Sequence, residues 1–214
     1  MKAQSQTRLL LQGAAGALEI VVSEPSPPHT RLALIAHPHP LHGGTLDNKV
    51  VQTLAKTFYA LGYVVVRMNF RGVGASEGEH DNGVGETQDW LLVLAHMRER
   101  YGKLPVALAG FSFGAFVQSR VARHLAQQGE SPFCMVLVAP AVGRFTVEPV
   151  AAVDTLVVHG DEDDVVALSD VLAWARPQQL PVTVLPGTGH FFHGYLTKLQ
   201  DVVTRYGASL QTKG

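Results

Sequence analysis

The chain has 214 residues, a net charge of −1 and 46% hydrophobic residues, which is enough apolar material for a large core. A folded chain of this length buries roughly 70% of its extended surface, so general disorder is excluded. The basic residues are scattered apart from a short group at 98–103. Nucleic acid binding, which needs a concentrated basic face, is therefore not indicated.

The single cysteine and the apolar runs bear on the compartment of the protein. Cys134 cannot form an internal disulfide, and its surroundings, "FCMVLVAP", predict a small buried hydrophobe. The first residues lack the continuous apolar stretch of a secretory signal, and no run approaches the ~20 apolar residues of a membrane helix. We expect a soluble, cytoplasmic protein without a membrane partner.

Strand-like and helix-like segments alternate along the first third of the chain. "RLLLQG" and "ALEIVV" predict a starting hairpin, and "RLALIAHP" predicts the first buried strand. Asp47 or Asn48 caps a helix with a 3.6-residue apolar period, which Gly62 ends. The β-branched and aromatic run "YVVVRMNF" predicts the next strand.

The alternation continues after a glycine-rich polar loop at 71–86. A helix presenting Trp90 and Tyr101 on one face follows that loop. The remaining predicted elements are, in chain order, strand "LPVALAG", helix "AFVQSRVARHLAQQ", strands "FCMVLVAP" and "DTLVVHG", helix "LSDVLAWARPQQ", strand "PVTVLPG" and a final helix over 195–206.

Unbroken apolar strands separated by amphipathic helices indicate one α/β domain over residues 1–214, with a mostly parallel sheet covered by helices on both faces. Ligands bind beyond the carboxyl ends of the strands in such sheets. Functional residues are therefore expected directly after strands.

The stretch "GFSFG", residues 110–114, lies between a predicted strand and a predicted helix. A serine on such a strand–turn–helix junction has the setting of a nucleophile elbow, which requires small close neighbours. Gly110 and Gly114 meet that requirement. A serine nucleophile needs a base and an orienting acid. "HGDEDDVV" and "GTGHFFHG" follow later strands in the order serine, acid, histidine.

These motifs, together with "HPHPLHGGTLDNKVV" and "NFRGVGASEG", resemble those of the α/β-hydrolase superfamily. The resemblance covers nearly the whole chain and is closest to small, lidless, dienelactone-hydrolase-like and carboxylesterase-like members. Dienelactone hydrolases have cysteine at the elbow, whereas this chain has Ser112. The resemblance therefore implies an esterase-like serine hydrolase of the α/β-hydrolase fold without a cap domain.

The resemblance also implies the partners of Ser112. The family pattern H-G-x-x-D selects Asp163, with Asp164 as the second choice, while Asp161 is expected to hydrogen-bond the turn. His190 is the base because it follows Gly189, as in the family's "GH" motif. His193 is expected to be a pocket or surface residue.

Two backbone amides are candidates for the oxyanion hole. One belongs to Phe113, the residue after the nucleophile, and the other comes from the loop "HPHP" after the first core strand. Pro38 and Pro40 have no N–H group, which leaves His39. Related esterases place the second donor at the same position.

Other uses of these residues fit less well. His37, His39 and His42 could hold a metal only with a further ligand and a carboxylate shell, so no metal is expected. "RGVGASEG" is a poor dinucleotide fingerprint because a long polar loop precedes the next helix. Arg71 and Asp89 are expected to be structural.

The sequence thus predicts a hydrolase of ester, thioester or similar acyl bonds in a small-molecule substrate, acting through an acyl-enzyme without a cofactor. The segment between "FCMVLVAP" and "DTLVVHG" is too short for a helical cap, so an open site for small acyl groups is expected. Phe111, Phe191 and Phe145 are the candidate lining residues, and a core position is the alternative for Phe111 and Phe191. The alternative is a catalytically silent binding module on the same fold.

Overall fold

A β-hairpin forms one edge of an eight-stranded sheet. The structure is a computed structural model that describes residues 5–150 and 152–211. Strand β1 (Ser5–Gly13) pairs antiparallel with β2 (Gly16–Glu24), and the tight turn places Gly13 opposite Gly16. Gly16 has a φ of +121°, a conformation that residues with a Cβ atom rarely adopt. The predicted hairpin is confirmed.

The other six strands run parallel to one another. They are β3 (Leu32–Ala36), β4 (Val64–Met68), β5 (Val106–Phe111), β6 (Cys134–Val138), β7 (Thr155–Gly160) and β8 (Val182–Leu185). The order across the sheet is β1-β2-β4-β3-β5-β6-β7-β8. The carboxyl ends of β3 to β8 therefore share one edge of the sheet, as the sequence predicted for a mostly parallel arrangement.

The described residues form five α-helices, of which the first four connect parallel strands and the last follows β8. They are α1 (Lys49–Ala60), α2 (Val84–Tyr101), α3 (Phe113–Gln127), α4 (Leu168–Ala175) and α5 (Leu196–Gln211). Asn48, not Asp47, caps α1: its Oδ1 accepts the N–H groups of Val50 at 2.9 Å and Val51 at 3.4 Å. The predicted helix over 168–179 ends earlier, at Ala175, and continues as a 3₁₀ turn that contains Pro177.

Two hydrophobic cores cover the two faces of the sheet. Along β3, Leu32, Leu34 and Ala36 face the core formed with α2, α3 and α4. The intervening Ala33 and Ile35 face the core formed with α1 and α5. This alternation explains why the central strands are apolar throughout, because both of their faces are buried. Helices on both faces are confirmed.

The connection between β6 and β7 decides how open the carboxyl edge is. In the part of this connection that the structure describes, residues 139–150 and 152–154, there is no helix, and the described residues form no cap. Among the described helices none is long and apolar enough to cross a membrane.

Arg71 forms a buried ion pair with Asp89 through two hydrogen bonds, at 2.6 and 3.0 Å, which fits the predicted structural role.

Candidate active site

Ser112 lies on a sharp turn between β5 and α3. Its φ of 55° and ψ of −115° are strained values for a residue with a side chain. The neighbouring strand stabilises the turn, since the Ser112 N–H donates to the carbonyl of Val138 on β6 at 2.9 Å. The side chain projects at the carboxyl edge of the sheet, and Ser112 remains 8% exposed.

The two glycines around Ser112 are required by close backbone contacts. A Cβ atom on Gly110 would lie 2.4 Å from the carbonyl carbon and oxygen of Gly114. A Cβ atom on Gly114 would lie 2.4 Å from the carbonyl oxygen of Ala36 and 2.6 Å from that of His37. Any larger residue would therefore separate α3 from the end of β3. This is the steric reason for small residues that the elbow motif predicts.

His190 joins the serine to a carboxylate. Its Nε2 lies 3.1 Å from Ser112 Oγ, and its Nδ1 lies 2.7 Å from Asp163 Oδ2. The three side chains come from the segments after β5, β7 and β8, whose carboxyl ends meet at one edge. His190 is 3% exposed and the Asp163 side chain is fully buried. The structure thus brings together the three side chains that the sequence singled out.

Asp163 is held as an acceptor. Its Oδ1 accepts the N–H groups of Val165 at 2.9 Å and Val166 at 2.7 Å, which leaves Oδ2 for His190. Burial by itself would raise the pKa of this carboxyl, but the hydrogen bonds from His190 and the two amides outweigh it and lower the pKa. The carboxylate is therefore charged at neutral pH.

The neighbouring acids have other positions. Asp164 is exposed. Asp161 Oδ1 accepts the N–H of Gly187 at 2.7 Å, so it ties the β7 loop to the turn after β8 instead of its own turn. This bond fixes the distance between the loops that carry Asp163 and His190.

A second histidine, missed in the sequence analysis, contacts the same carboxylate. His159, on β7, is fully buried, and its Nε2 donates to the Val166 carbonyl at 2.9 Å and lies 3.5 Å from Asp163 Oδ2. Burial lowers the pKa of His159, so the ring is neutral. The histidine of "HGDEDD" was the available signal, because it directly precedes the acidic turn.

The two residues whose amides are the predicted oxyanion donors have their side-chain rings in contact. Phe113 is the first residue of α3, so its N–H is one of the helix-start amides without an intrahelical acceptor. His39 belongs to the loop after β3, and its ring lies 4.9 Å from the ring of Phe113. Burial lowers the pKa of His39 to about 4, with the nearby His80 and His42 acting in the same direction.

His37 hydrogen-bonds the start of the loop that carries His39 to the segment after β4. Its Nε2 accepts the N–H of Phe70 at 2.9 Å, and its Nδ1 therefore carries the proton and donates to the Pro38 carbonyl at 2.7 Å. Burial lowers the pKa of this imidazole to about 4. Both ring nitrogens are engaged by the protein, so His37 has no nitrogen left for a metal ion. Among residues 5–150 and 152–211 no group of side chains is arranged to hold one.

The three predicted lining residues differ in position. Phe111 is fully buried beneath His190, with ring centroids 5.0 Å apart, so the prediction that it lines an open site is wrong: it supports the imidazole from the core. Phe191 is 49% exposed and packs edge-on against His190 at 5.1 Å. Phe145 is half-buried and lies 5.1 Å from the Phe113 ring. His193 is exposed.

Comparison with known proteins agrees with this geometry. Residues 39–153, more than half of the chain, match the family described as serine aminopeptidase, S33. A solved α/β serine hydrolase homologue from Coxiella burnetii is 40% identical, with a TM-score of 0.83 over 93% of this chain and 96% of that one. A serine hydrolase without a lid from Xanthomonas campestris is 36% identical, with a TM-score of 0.85 over 94% and 93%.

The chain therefore belongs to the α/β-hydrolase superfamily and, within it, to the family of the S33 serine aminopeptidases. A more distant match is the lysophosphatidylserine lipase of Danio rerio, which is 34% identical over 102 residues. That match spans 47% of this chain and 26% of the lipase.

Proposed function

We propose that the protein is a serine hydrolase that cleaves an ester, thioester or related acyl bond through an acyl-enzyme, with a carboxylesterase activity on small acyl groups. The observation that carries the proposal is the continuous chain Ser112 Oγ, His190 Nε2, His190 Nδ1, Asp163 Oδ2, with distances of 3.1 and 2.7 Å between residues. Proton transfer needs heavy atoms at such distances.

In the first step, Ser112 Oγ attacks the acyl carbon while its proton moves to His190 Nε2. The imidazolium is stabilised by the buried, ionised Asp163. The oxygen that becomes negatively charged accepts hydrogen bonds from the N–H groups of Phe113 and His39. Each such donor contributes about 3 kcal/mol to transition-state stabilisation. Cleavage of the bond to the leaving group consumes the Nε2 proton.

In the second step, water replaces the leaving group. His190 Nε2 takes a proton from the water, the hydroxide oxygen attacks the acyl-serine, and the same proton returns to Ser112 Oγ as the acid is released. These steps use one nucleophile, one base and one orienting acid, all supplied by the chain. The Phe111 ring beneath His190 keeps the imidazole between its two partners.

The substrate class follows from the surroundings of the serine. The described residues of the β6–β7 connection form no helical cap, which favours a site for small or protruding acyl groups. The exposed Phe191 ring on one side and the half-buried Phe145 on the other offer apolar contact to an acyl group. Two further bond types are worth testing. The lipase relative suggests a lysophospholipid ester, and the aminopeptidase family suggests an aminoacyl amide.

The test is labelling with a fluorophosphonate probe, followed by peptide mass spectrometry and by hydrolysis of p-nitrophenyl acetate, butyrate and octanoate. We expect an adduct on Ser112 and a preference for the two shorter esters. Ser112→Ala and His190→Ala should each abolish both the adduct and the hydrolysis.

The matched control is Ser119→Ala, because Ser119 is a buried serine of α3 that hydrogen-bonds only backbone groups. It should label and hydrolyse like the wild type. Folded protein without an adduct and without ester hydrolysis would support the binding module instead. Faster turnover of an aminoacyl p-nitroanilide than of any ester would replace the esterase by an aminopeptidase.

A further inference from the structure

Four aromatic rings form a cluster around the predicted oxyanion donors. The members of this four-ring cluster are His39, His80, Phe113 and Phe145. His80 lies 4.8 Å from the ring of His39 and 5.3 Å from that of Phe113. Phe145 lies 5.8 Å from His39 and 5.1 Å from Phe113. His80 and Phe145 therefore each contact both residues whose amides are the predicted donors.

The four rings come from four separate segments of the chain. His39 is in the loop after β3, His80 in the polar loop before α2, Phe113 at the elbow and Phe145 in the connection between β6 and β7. Local hydrogen bonds shape the His39 loop internally, since the His39 carbonyl accepts the N–H groups of His42 and Gly44. Its alignment with Phe113 needs contacts between segments, and the rings supply them.

His80 lies beside a buried carboxylate. Its Nδ1 lies 3.0 Å from Glu86 Oε1, and the side chains of His80 and Glu86 are 9% and 0% exposed. Glu86 is fixed in turn, because its oxygens accept the N–H groups of Asp81 at 2.9 Å and Gly83 at 2.8 Å. A glutamate anchored at the start of α2 thus lies next to the histidine ring that contacts the rings of His39 and Phe113.

We infer that His80 is a positioning residue for the oxyanion hole: its ring, in contact with the rings of His39 and Phe113, sets the separation of the two backbone amides. The inference rests on the function proposed above. A misplacement of about 1 Å at a catalytic group can cost 100-fold in rate, so a ring that fixes this separation has a measurable effect. His80 acts through its neighbours and needs no contact with the substrate.

The experiment compares His80→Ala with His80→Phe in the full chain, using p-nitrophenyl butyrate. His80→Ala removes the ring and should lower kcat at least about tenfold with KM changed less than about twofold. His80→Phe keeps an aromatic ring against both donors and should restore kcat to within about threefold of the wild type.

A second measurement separates positioning from a general loss of structure. A trifluoromethyl ketone forms a reversible tetrahedral adduct on a catalytic serine, with its oxyanion in the hole. Its Ki should rise in His80→Ala by the same factor by which kcat/KM falls, because both depend on the same donors. Loss of folding alone would lower the active fraction and leave the Ki of the remainder unchanged.

The control is His42→Ala. His42 is an exposed histidine that lies 4.7 Å from the His39 ring but is not in contact with Phe113, so kcat and Ki should stay at wild-type values. Unchanged kcat and Ki in His80→Ala, with Ser112-dependent hydrolysis intact, would overturn the inference and leave the proposed function standing. Wild-type protein without a Ser112 adduct would overturn both.

Discussion

The two halves of the candidate site are held in place by different forces. Ser112, His190 and Asp163 are linked by hydrogen bonds at 3.1 and 2.7 Å. His39 and Phe113 are aligned by ring contacts, of which their own is 4.9 Å long. Hydrogen bonds depend on which atom stands at each position, whereas ring packing depends on volume and shape. The hydrogen-bonded half should therefore fail when one atom changes, and the packed half when a ring is lost.

The largest effect is expected for Asp163→Asn, which changes one acceptor atom and almost no volume. An amide cannot stabilise the imidazolium and favours the wrong tautomer of His190, so kcat should fall about 10⁴-fold at neutral pH. Steady-state hydrolysis of p-nitrophenyl butyrate measures it. The paired variant is Asp164→Asn, an exposed position that should keep wild-type kcat. The opposite ranking of the two variants would assign the acid to Asp164.

The next largest effect is expected at the contact between the start of α3 and the end of β3, which lies between the two halves. Gly114→Ala places a methyl group 2.4 Å from the carbonyl oxygen of Ala36, so α3 and the end of β3 must move apart. We expect a loss of about 3 kcal/mol in the free energy of unfolding by urea, and slower labelling of Ser112. Gly189→Ala is the comparison, since its methyl group meets nothing nearer than 3.6 Å. Equal stability of the two variants would contradict the steric argument.

A third prediction concerns pH, because His37, two residues before His39, is fully buried and its pKa is lowered. The pKa of His37 is about 4 in the folded protein and 6.5 when unperturbed. Between these values the unfolded chain binds a proton that the folded chain does not. The contribution of neutral His37 to the free energy of unfolding is therefore fully present above pH 6.5. It decreases by about 3 kcal/mol as the pH drops towards 4.

The measurement is the free energy of unfolding by urea at pH 7 and pH 4.5, in the wild type and in His37→Gln. The difference between the two pH values should be smaller in the variant. It should not vanish, because burial also lowers the pKa of His159 and of the half-buried His39. Asp163, with its pKa below 3.8, titrates outside this window. An unchanged pH difference would show that His37 does not remain neutral in the fold.

The smallest effect is expected at the rim of the hydrogen-bonded half. Phe191 is 49% exposed and contacts His190 only by the edge of its ring. Phe191→Ala should raise KM for p-nitrophenyl butyrate about threefold, with kcat unchanged, because it removes apolar contact with the acyl group and no hydrogen bond. A fall in kcat instead of a rise in KM would mean that the ring holds His190 in place.

The residues of the hydrogen-bonded half were easier to predict from the sequence than those of the packed half. Ser112 stood between two glycines after a strand, and His190 followed the last strand, so type, spacing and order pointed to them. The choice of Asp163 over its neighbours came from the family resemblance, and the structure places its side chain, alone among the three candidate acids, against the imidazole. The sequence left open whether Phe111 lines the site or lies in the core, because nothing in a pentapeptide shows which residue faces the core.

His80 received no role in the sequence analysis because it lies in a polar loop with no periodicity. Its neighbours, His39 and Phe113, belong to segments that become adjacent only when α2, α3 and the strand ends have packed. Its partner Glu86 looks like an ordinary residue in the first turn of a helix. Such a position is recognised by its contacts, and contacts between distant segments have no local signature.

The sequence by itself determined the alternation of buried strands and amphipathic helices, the small residues at the elbow and the chain order of serine, acid and histidine. These are local properties, fixed by backbone sterics and by the burial of both faces of the sheet. Only the tertiary structure decided which carboxylate meets His190, which phenylalanine is core and which rings align His39 with Phe113. Those outcomes depend on distances between the ends of separate strands, which the order of the strands in the sheet sets.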